Sequence, residues 1–243
     1  MQNEKAVYEY EFLAMYGDVN DNWELSNVGL LRHLQELGGF QTKKIFGSML
    51  TPKGAWILLN WRVKKFKAIR WSEKFKVKTW PVKHTSLYSI RNYEVYNEQD
   101  EVVAIVSTKW VLMDSETKKL VRDIEEIASL YEEDEKILFE DDFPKLKEPN
   151  EIQYSYKHVI QRRDIDTNGH VNNVKYLELA YEALPEDVYA NDNFKNIDIM
   201  YKHSAFLGEE MSIGFKKDVV DENEEYTIVI KSNEKLNAII RLS

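Results

Sequence analysis

Phe75-Lys76-Val77-Lys78-Thr79-Trp80 alternates apolar and polar positions, the period-two signature of a strand with one face buried. Leu87–Tyr96 and Glu101–Met113 read the same way. Asn97-Glu98-Gln99-Asp100 and Asp114-Ser115-Glu116-Thr117 supply turn chemistry after them. Between Ser26 and Leu37 the period changes. Val28, Leu30, Leu31, Leu34 and Leu37 recur at helical spacing, Ser26 or Asn27 stands where a cap belongs, and Gly38-Gly39 offers a stop. From Ile124 to Pro149 both periods lapse into an acidic stretch, read as a short helix and a linker. The pattern then restarts as a strand, a helix over Asn173–Leu184 closed by Pro185, and further strands from Phe194 to the end.

The restart is an internal repeat. At a shift of 146 the two halves align without gaps, bringing Tyr8 onto Tyr154, Tyr10 onto Tyr156, Asp18 onto Asp164, Asn22 onto Asn168, Asn27 onto Asn173, Val28 onto Val174 and Leu31 onto Leu177. After the helices a shift of 136 lays Trp71-Ser72-Glu73 over Leu207-Gly208-Glu209. One helix followed by antiparallel strands, twice over, predicts an α+β protein of two packed domains. Their expected extents are 1–123 and 151–243, with 124–150 as the acidic linker.

Composition narrows the class. Hydrophobic residues make up 43% of 243, enough for a core, and the chain holds no cysteine, so disulfides, thiolate metal clusters and a cysteine nucleophile are excluded. No apolar run reaches the length of a spanning helix, and residues 1–8 lack a signal-peptide core, so the expectation is a cytoplasmic protein without membrane or nucleic-acid partners. The charge is uneven. Arg62–His84 carries nine basic side chains, Lys83 among them, against Glu73 alone, on a chain of net charge −9. Such a patch suits either a local anionic partner or a solvated strand face.

The copies diverge where polar chemistry is densest. The second reads Asp164-Ile165-Asp166-Thr167-Asn168-Gly169-His170-Val171-Asn172-Asn173-Val174-Lys175-Tyr176; the first has Asn20 in place of Asp166 and Glu24 in place of His170. Only the second therefore sets a carboxylate, an amide and an imidazole two residues apart, just before a helix. Helix-end amides and the helix dipole suit a developing oxyanion, the carboxylate can act as base or nucleophile, and the imidazole can move protons. Asp164 and Asn173, matched in the first copy, read as turn and cap residues, whereas Asp166 and His170 read as functional. His33 reads as a satisfied core or boundary residue, and His84 and His158 as surface residues. No G-x-S-x-G, phosphate-binding glycine loop or metal-ligand histidine spacing occurs.

The string Asp164–Tyr176 resembles the D-L-D-x-N-x-H-V-N-N-V-K-Y signature of the acyl-ACP thioesterase family, and Asn27–Leu37, Trp56–Trp80 and Trp110-Val111-Leu112-Met113 are similar to that family's N-terminal half. The resemblance implies a tandem hotdog fold, each half an antiparallel sheet around a long helix. It implies hydrolysis of fatty acyl thioesters on an acidic acyl carrier protein, with no metal or organic cofactor. It carries the family's catalytic Asp, Asn and His onto Asp166, Asn168 and His170. The chain departs at one place: Met200-Tyr201-Lys202-His203-Ser204-Ala205, read as strand, sets Ser204 at the family's catalytic Glu and Ala205 at the Cys of plant members. The first half is then expected to hold the acyl chain, lined by Val28, Leu31, Leu34, Trp56 and Trp61. Lys64, Lys65, Lys67, Arg70 and Lys74 become candidates for carrier docking. An acyl-CoA thioesterase, a dehydratase on the same fold and a non-catalytic acyl-binding protein remain alternatives, and pairing of sheet edges into a homodimer stays open.

Overall fold

A computed structural model describes residues 8–131, 134–190 and 194–243, with the backbone alone of Lys83. Glu132 and Glu133 of the acidic stretch and the Lys83 side chain thus lie outside the described residues. The chain divides into two compact units, 1–142 and 143–243.

The first unit runs β1 (Tyr8–Leu13), a 3-10 turn (Tyr16–Asp18), α1 (Asn27–Phe46), β2 (Ala55–Lys65), β3 (Lys74–His84), β4 (Ser89–Tyr96), β5 (Val102–Met113) and a one-turn helix, α2 (Glu125–Ala128). Its strands pair antiparallel in the order β1-β3-β4-β5-β2. Leu30, Leu31, Leu34 and Leu37 of α1 are buried with Phe75, Val77, Val95 and Val106 of the sheet. Each such side chain contributes roughly 1.5–3 kcal/mol by leaving water.

Ser26 caps α1, its Oγ accepting from Gly29 N at 2.9 Å. The expected stop at Gly38-Gly39 is not used: α1 continues to Phe46 and ends at Gly47, whose φ of 70° is the left-handed cap conformation. The glycine pair serves close packing instead. A Cβ on Gly38 would stand 3.3 Å from Tyr93 Oη, and one on Gly39 would overlap the end of Met49.

The C-terminal end of α1 is closed by a satellite cluster of Leu112, Ile124, Ile127, Ala128 and Tyr131, with Phe46 and Trp56 packed against it. The acidic stretch beyond is fastened to the sheet. Trp80 Nε1 and Asn92 Nδ2 donate to Lys136 O at 3.1 and 3.2 Å, and Lys136 Nζ binds Glu94 at 2.6 Å. Arg62 donates to the carbonyls of Asp141 and Asp142.

The second unit runs β6 (Gln153–Val159), a 3-10 turn (Arg162–Asp164), α3 (Asn173–Glu182), α4 (Glu186–Ala190), β7 (Asn196–Tyr201), β8 (Glu210–Val220), β9 (Asn223–Ser232) and β10 (Lys235–Leu242). Its order is β6-β8-β9-β10-β7, the first unit's order strand for strand. Both shifts found in the sequence reappear as hydrogen bonds. Ala14 N donates to Glu73 O and Ser72 N to Ala14 O; Ile160 N donates to Glu209 O and Gly208 N to Ile160 O. Helix α3 is shorter than expected, ending at Glu182 ahead of Pro185.

Candidate active site

The candidate trio sits on the loop between the second 3-10 turn and α3. Asp166 N donates to His170 O at 2.9 Å and Gly169 N to Asp166 O at 3.1 Å, beside a bridge between Ile165 and Val171. This neck folds the five residues back on themselves and brings the Asp166 and His170 side chains to one place. Asp166 Oδ1 accepts from Asn168 N at 2.7 Å, an Asx turn, and Oδ2 from Asn168 Nδ2 at 3.3 Å. His170 Nδ1 lies 3.9 Å from Asp166 Oδ1 and 3.4 Å from Val171 O. A proton on Nδ1 faces both, which leaves Nε2 for an incoming group. The Asp166 and His170 side chains are 17% and 23% exposed, and Asn168 is exposed. The three side chains therefore meet at one partly exposed place.

Two anchors hold the loop. Asp164, with 2% of its side chain exposed, receives His158 Nε2 at 2.6 Å and Gln161 N at 2.8 Å on Oδ2, while its carbonyl accepts from Asn172 N. Burial opposes ionisation of Asp164, but the Gln161 amide, His158 and Lys175 outweigh it and hold its carboxyl below the usual carboxylate range. His158 is thus not the surface residue expected from sequence, since only 11% of its side chain is exposed. The alternation in β6 places it on the face of Tyr156, whose ring it stacks on, and that alternation is the signal in the sequence that points to it. His84 is also half-buried rather than superficial, and burial, with Arg91 nearby, lowers its pKa to about 4. His33, by contrast, is the satisfied boundary residue expected, bonded to Asp18 at 3.0 Å.

The second anchor is Asn172, not Asn173: its Oδ1 caps α3 by accepting from Val174 N at 2.9 Å. That bond engages a helix-end amide expected from the sequence to serve an oxyanion, so the Asn168 carboxamide, held by one long bond, is the better placed donor. Behind the loop, buried Tyr176 directs its hydroxyl at the Ala205 amide. Burial, and to a lesser degree the charges of Glu209 and Asp166, push that phenol above its usual range.

Ser204 is not on a strand. β7 ends at Tyr201, Lys202 N makes the next bond to Asn237 O, and Asn237 Nδ2 then holds His203 O at 3.0 Å. The chain turns there so that Ala205 O can accept from Val171 N at 3.0 Å, which sets exposed Ser204 one residue from the loop's neck.

In the first unit, Leu31, Leu34 and Trp61 are fully buried and Val28 is half-buried. Trp61 stacks on Tyr93, whereas Trp56 lies in the satellite cluster, bonded to Tyr131 Oη. The basic patch is matched by acids in part: Lys67 pairs with Glu101 and Lys74 with Glu11, both at 2.8 Å, while Lys76 and Lys78 face Asp100 and Glu9. Lys64 and Arg70 are exposed, and Lys65 is half-buried. Among the described residues no three acidic or histidine side chains converge as metal ligands, and no helix is long and apolar enough to cross a membrane.

Comparison with known proteins places this geometry. The chain is 23% identical to an oleoyl-acyl carrier protein thioesterase of Coriandrum sativum over 93% of its own length, and 27% identical to oleoyl-acyl carrier protein thioesterase 2 of Arabidopsis thaliana over 82%. It spans 66% and 59% of those relatives, less than two thirds of each. Among solved structures, it superposes on an acyl-ACP thioesterase from Bacteroides thetaiotaomicron with a TM-score of 0.84, at 23% identity, covering 97% of this chain and 96% of the other. A 12:0-ACP thioesterase from Umbellularia californica gives 0.83 at 17% identity with the same coverage. The fold is the tandem hotdog. Residues 5–131 match the acyl-ACP thioesterase N-terminal domain and residues 145–241 the C-terminal domain, so the chain belongs to the acyl-ACP thioesterase family.

Proposed function

We propose that the protein hydrolyses fatty acyl thioesters carried on an acyl carrier protein, releasing the free acid and the carrier thiol, with Asp166, Asn168 and His170 at the reaction centre. The observation that carries this reading is the exposed Asp166–Asn168–His170 loop, closed by a 2.9 Å backbone bond between its two titratable members. Asp166 Oδ1 is committed to the Asn168 amide, and Oδ2 is the oxygen left to take a proton from water. The hydroxide adds to the thioester carbonyl, and Asn168 Nδ2 donates to the oxyanion that forms. Collapse breaks the carbon–sulfur bond, and the proton that Asp166 took from water is handed on, by way of His170 Nε2, to the departing thiolate, which returns both side chains to their starting state. Ser204, next to the loop's neck, can hold the water by a hydrogen bond but cannot act as its base.

The acyl chain is proposed to lie against α1 in the first unit, among Val28, Leu31, Leu34 and Trp61, with Trp56 at the end closed by Tyr131. Carrier docking is proposed on the basic patch, where Lys64 and Arg70 are exposed, as are Lys67 and Lys74. Lys65, Lys67 and Lys74 complete the surface, the last two through charges shared with Glu101 and Glu11.

The test is thiol release from acyl carrier protein thioesters by wild type and Asp166→Asn. The substitution is expected to lower kcat about 10³-fold with an unchanged melting curve. Wild-type turnover in the variant defeats the assignment. Water loss from a hydroxyacyl carrier without thiol release supports dehydration instead.

A further inference from the structure

The interior of the first unit is not uniformly apolar. Along α1, the buried leucines at 30, 31, 34 and 37 are followed by Gln41 and Thr42, both buried and polar. Gln41 lies about 10 Å beyond Leu34 at the helical rise. Opposite this second half of the helix stand Thr79 of β3, Arg91 and Tyr93 of β4 and Thr108 of β5, all buried. Arg91 is 8% exposed. Its Nη1 donates to Gln41 Oε1 and to Thr79 Oγ1, the latter at 3.2 Å, and its guanidinium lies 5.4 Å over the Tyr131 ring.

No carboxylate among the described residues pairs with Arg91, and its Nε and Nη2 donate to none of them. Tyr93 Oη is fully buried beside the hydroxyls of Thr79 and Thr108 and makes no hydrogen bond of good geometry. The nearby His84 imidazole is lowered to a pKa of about 4 by burial and by Arg91, so near neutral pH it adds no second charge. A guanidinium stays charged at any working pH, and arginine is rarely buried without an anion or a full set of acceptors. Here the cation has neutral partners, spare donors and an unsatisfied hydroxyl next to it. The cluster is one helical turn past Leu37 and adjoins Trp61, which stacks on Tyr93.

We infer that the first unit selects acyl chains bearing an oxygen function on their distal carbons, with Arg91, Gln41 and Tyr93 Oη receiving it. The inference rests on the proposal that this unit holds the acyl chain. A plain hydrocarbon end at the same depth covers the guanidinium and returns no hydrogen bond, so for such chains Arg91 sets a length limit. A hydroxyl, oxo or carboxylate oxygen at that depth accepts the spare donors.

The experiment compares carrier-bound thioesters of matched length with plain, ω-hydroxyl and ω-carboxyl ends over a length series. In parallel, non-hydrolysable acyl-pantetheine amides with the same ends are titrated for binding to the full chain. At the lengths that reach Arg91, oxygenated ends are expected to be favoured at least about tenfold in kcat/KM and in amide affinity. Arg91→Met is expected to abolish or invert that order. Gln41→Glu provides a second route that keeps the arginine. It gives the guanidinium an internal carboxylate and is expected to remove the preference for the ω-carboxyl end selectively. Plain chains binding as well as oxygenated ones at every length overturn the inference, as does an unchanged preference in Gln41→Glu. An amide preference without hydrolysis of any thioester supports the inference and defeats the hydrolase reading. Hydrolysis of plain and oxygenated chains alike, with no amide preference, does the opposite.

Discussion

Residues 19–25 and 165–171 are the same loop built twice, and only the second carries the Asp–Asn–His trio. In each, the first polar residue donates its amide across the neck: Asn20 N to Glu24 O at 2.8 Å, Asp166 N to His170 O at 2.9 Å. In each, that residue's side chain forms an Asx turn, Asn20 Oδ1 receiving the amides of Asn22 and Glu24, and Asp166 Oδ1 that of Asn168. Each loop is anchored by an aspartate bonded to a histidine, but Asp18 takes His33 from the helix while Asp164 takes His158 from the strand. Each needs a left-handed residue. The second supplies Gly169 at φ 80°, and the first spends Trp23 at φ 60°, 51% exposed and in ring contact with Tyr16 and Trp71. The backbone motif thus survives without the chemistry, because it depends on amide bonds and an Asx side chain that asparagine supplies as well as aspartate.

Exchanging the residues that differ is the strongest way to break this comparison. His170→Glu gives the second loop the first loop's residue, removes the proposed proton donor for the thiolate and is expected to lower kcat about 10²-fold. Glu24→His in the first loop is expected to leave thiol release within about twofold. Comparable losses from both would mean that the loops share the work.

The anchors sharpen it next. Asp164→Asn and Asp18→Asn each weaken a charge-assisted bond to histidine and are expected to cost about 2 kcal/mol in urea unfolding. Only Asp164→Asn should also lower kcat, because only its loop carries the trio. The Asp164 carboxyl is depressed in the folded state. Its contribution to stability is therefore full above the unfolded value of 3.8 and is lost as pH falls through the folded value. Melting temperatures measured from pH 6 to 2 should fall less steeply in Asp164→Asn than in wild type.

The smallest effect is expected at the left-handed positions. A Cβ at residue 169 meets nothing within 4 Å, so Gly169→Ala isolates the backbone term, about 1 kcal/mol. Trp23→Gly relieves the same strain but gives up two ring contacts, and its net change in stability is expected to stay below about 1 kcal/mol. A loss of several kcal/mol in Trp23→Gly would show that the exposed rings, not the neck, hold the first loop.

The repeat is legible in the amino-acid order because duplication leaves identities where the fold needs a particular residue. Asp18 and Asp164 anchor, and the two hydrogen-bonded corners at Ser72 and Gly208 need similar turns. The trio is legible for the opposite reason: Asp166 and His170 break the repeat, and their spacing is local enough for sequence to show that they meet. The alternating strands and the start of α1 follow from periodicity and capping, which act over a few residues. The end of α1 does not, since Gly38-Gly39 signals a stop locally, and only the approach of Tyr93 and Met49 shows why small residues are needed there. Packing likewise makes His158 a largely covered partner of Asp164 and puts Ser204 beyond the strand. The Arg91 cluster is invisible in the sequence as well, because α1, β3, β4 and Tyr131 beyond α2 reach it from positions up to ninety residues apart. Periodicity determined the elements and divergence within the repeat marked the candidate loop. Long-range contact alone decided which polar groups would be buried, and with which partners, since the cost of burying charge depends on neighbours that no local pattern contains.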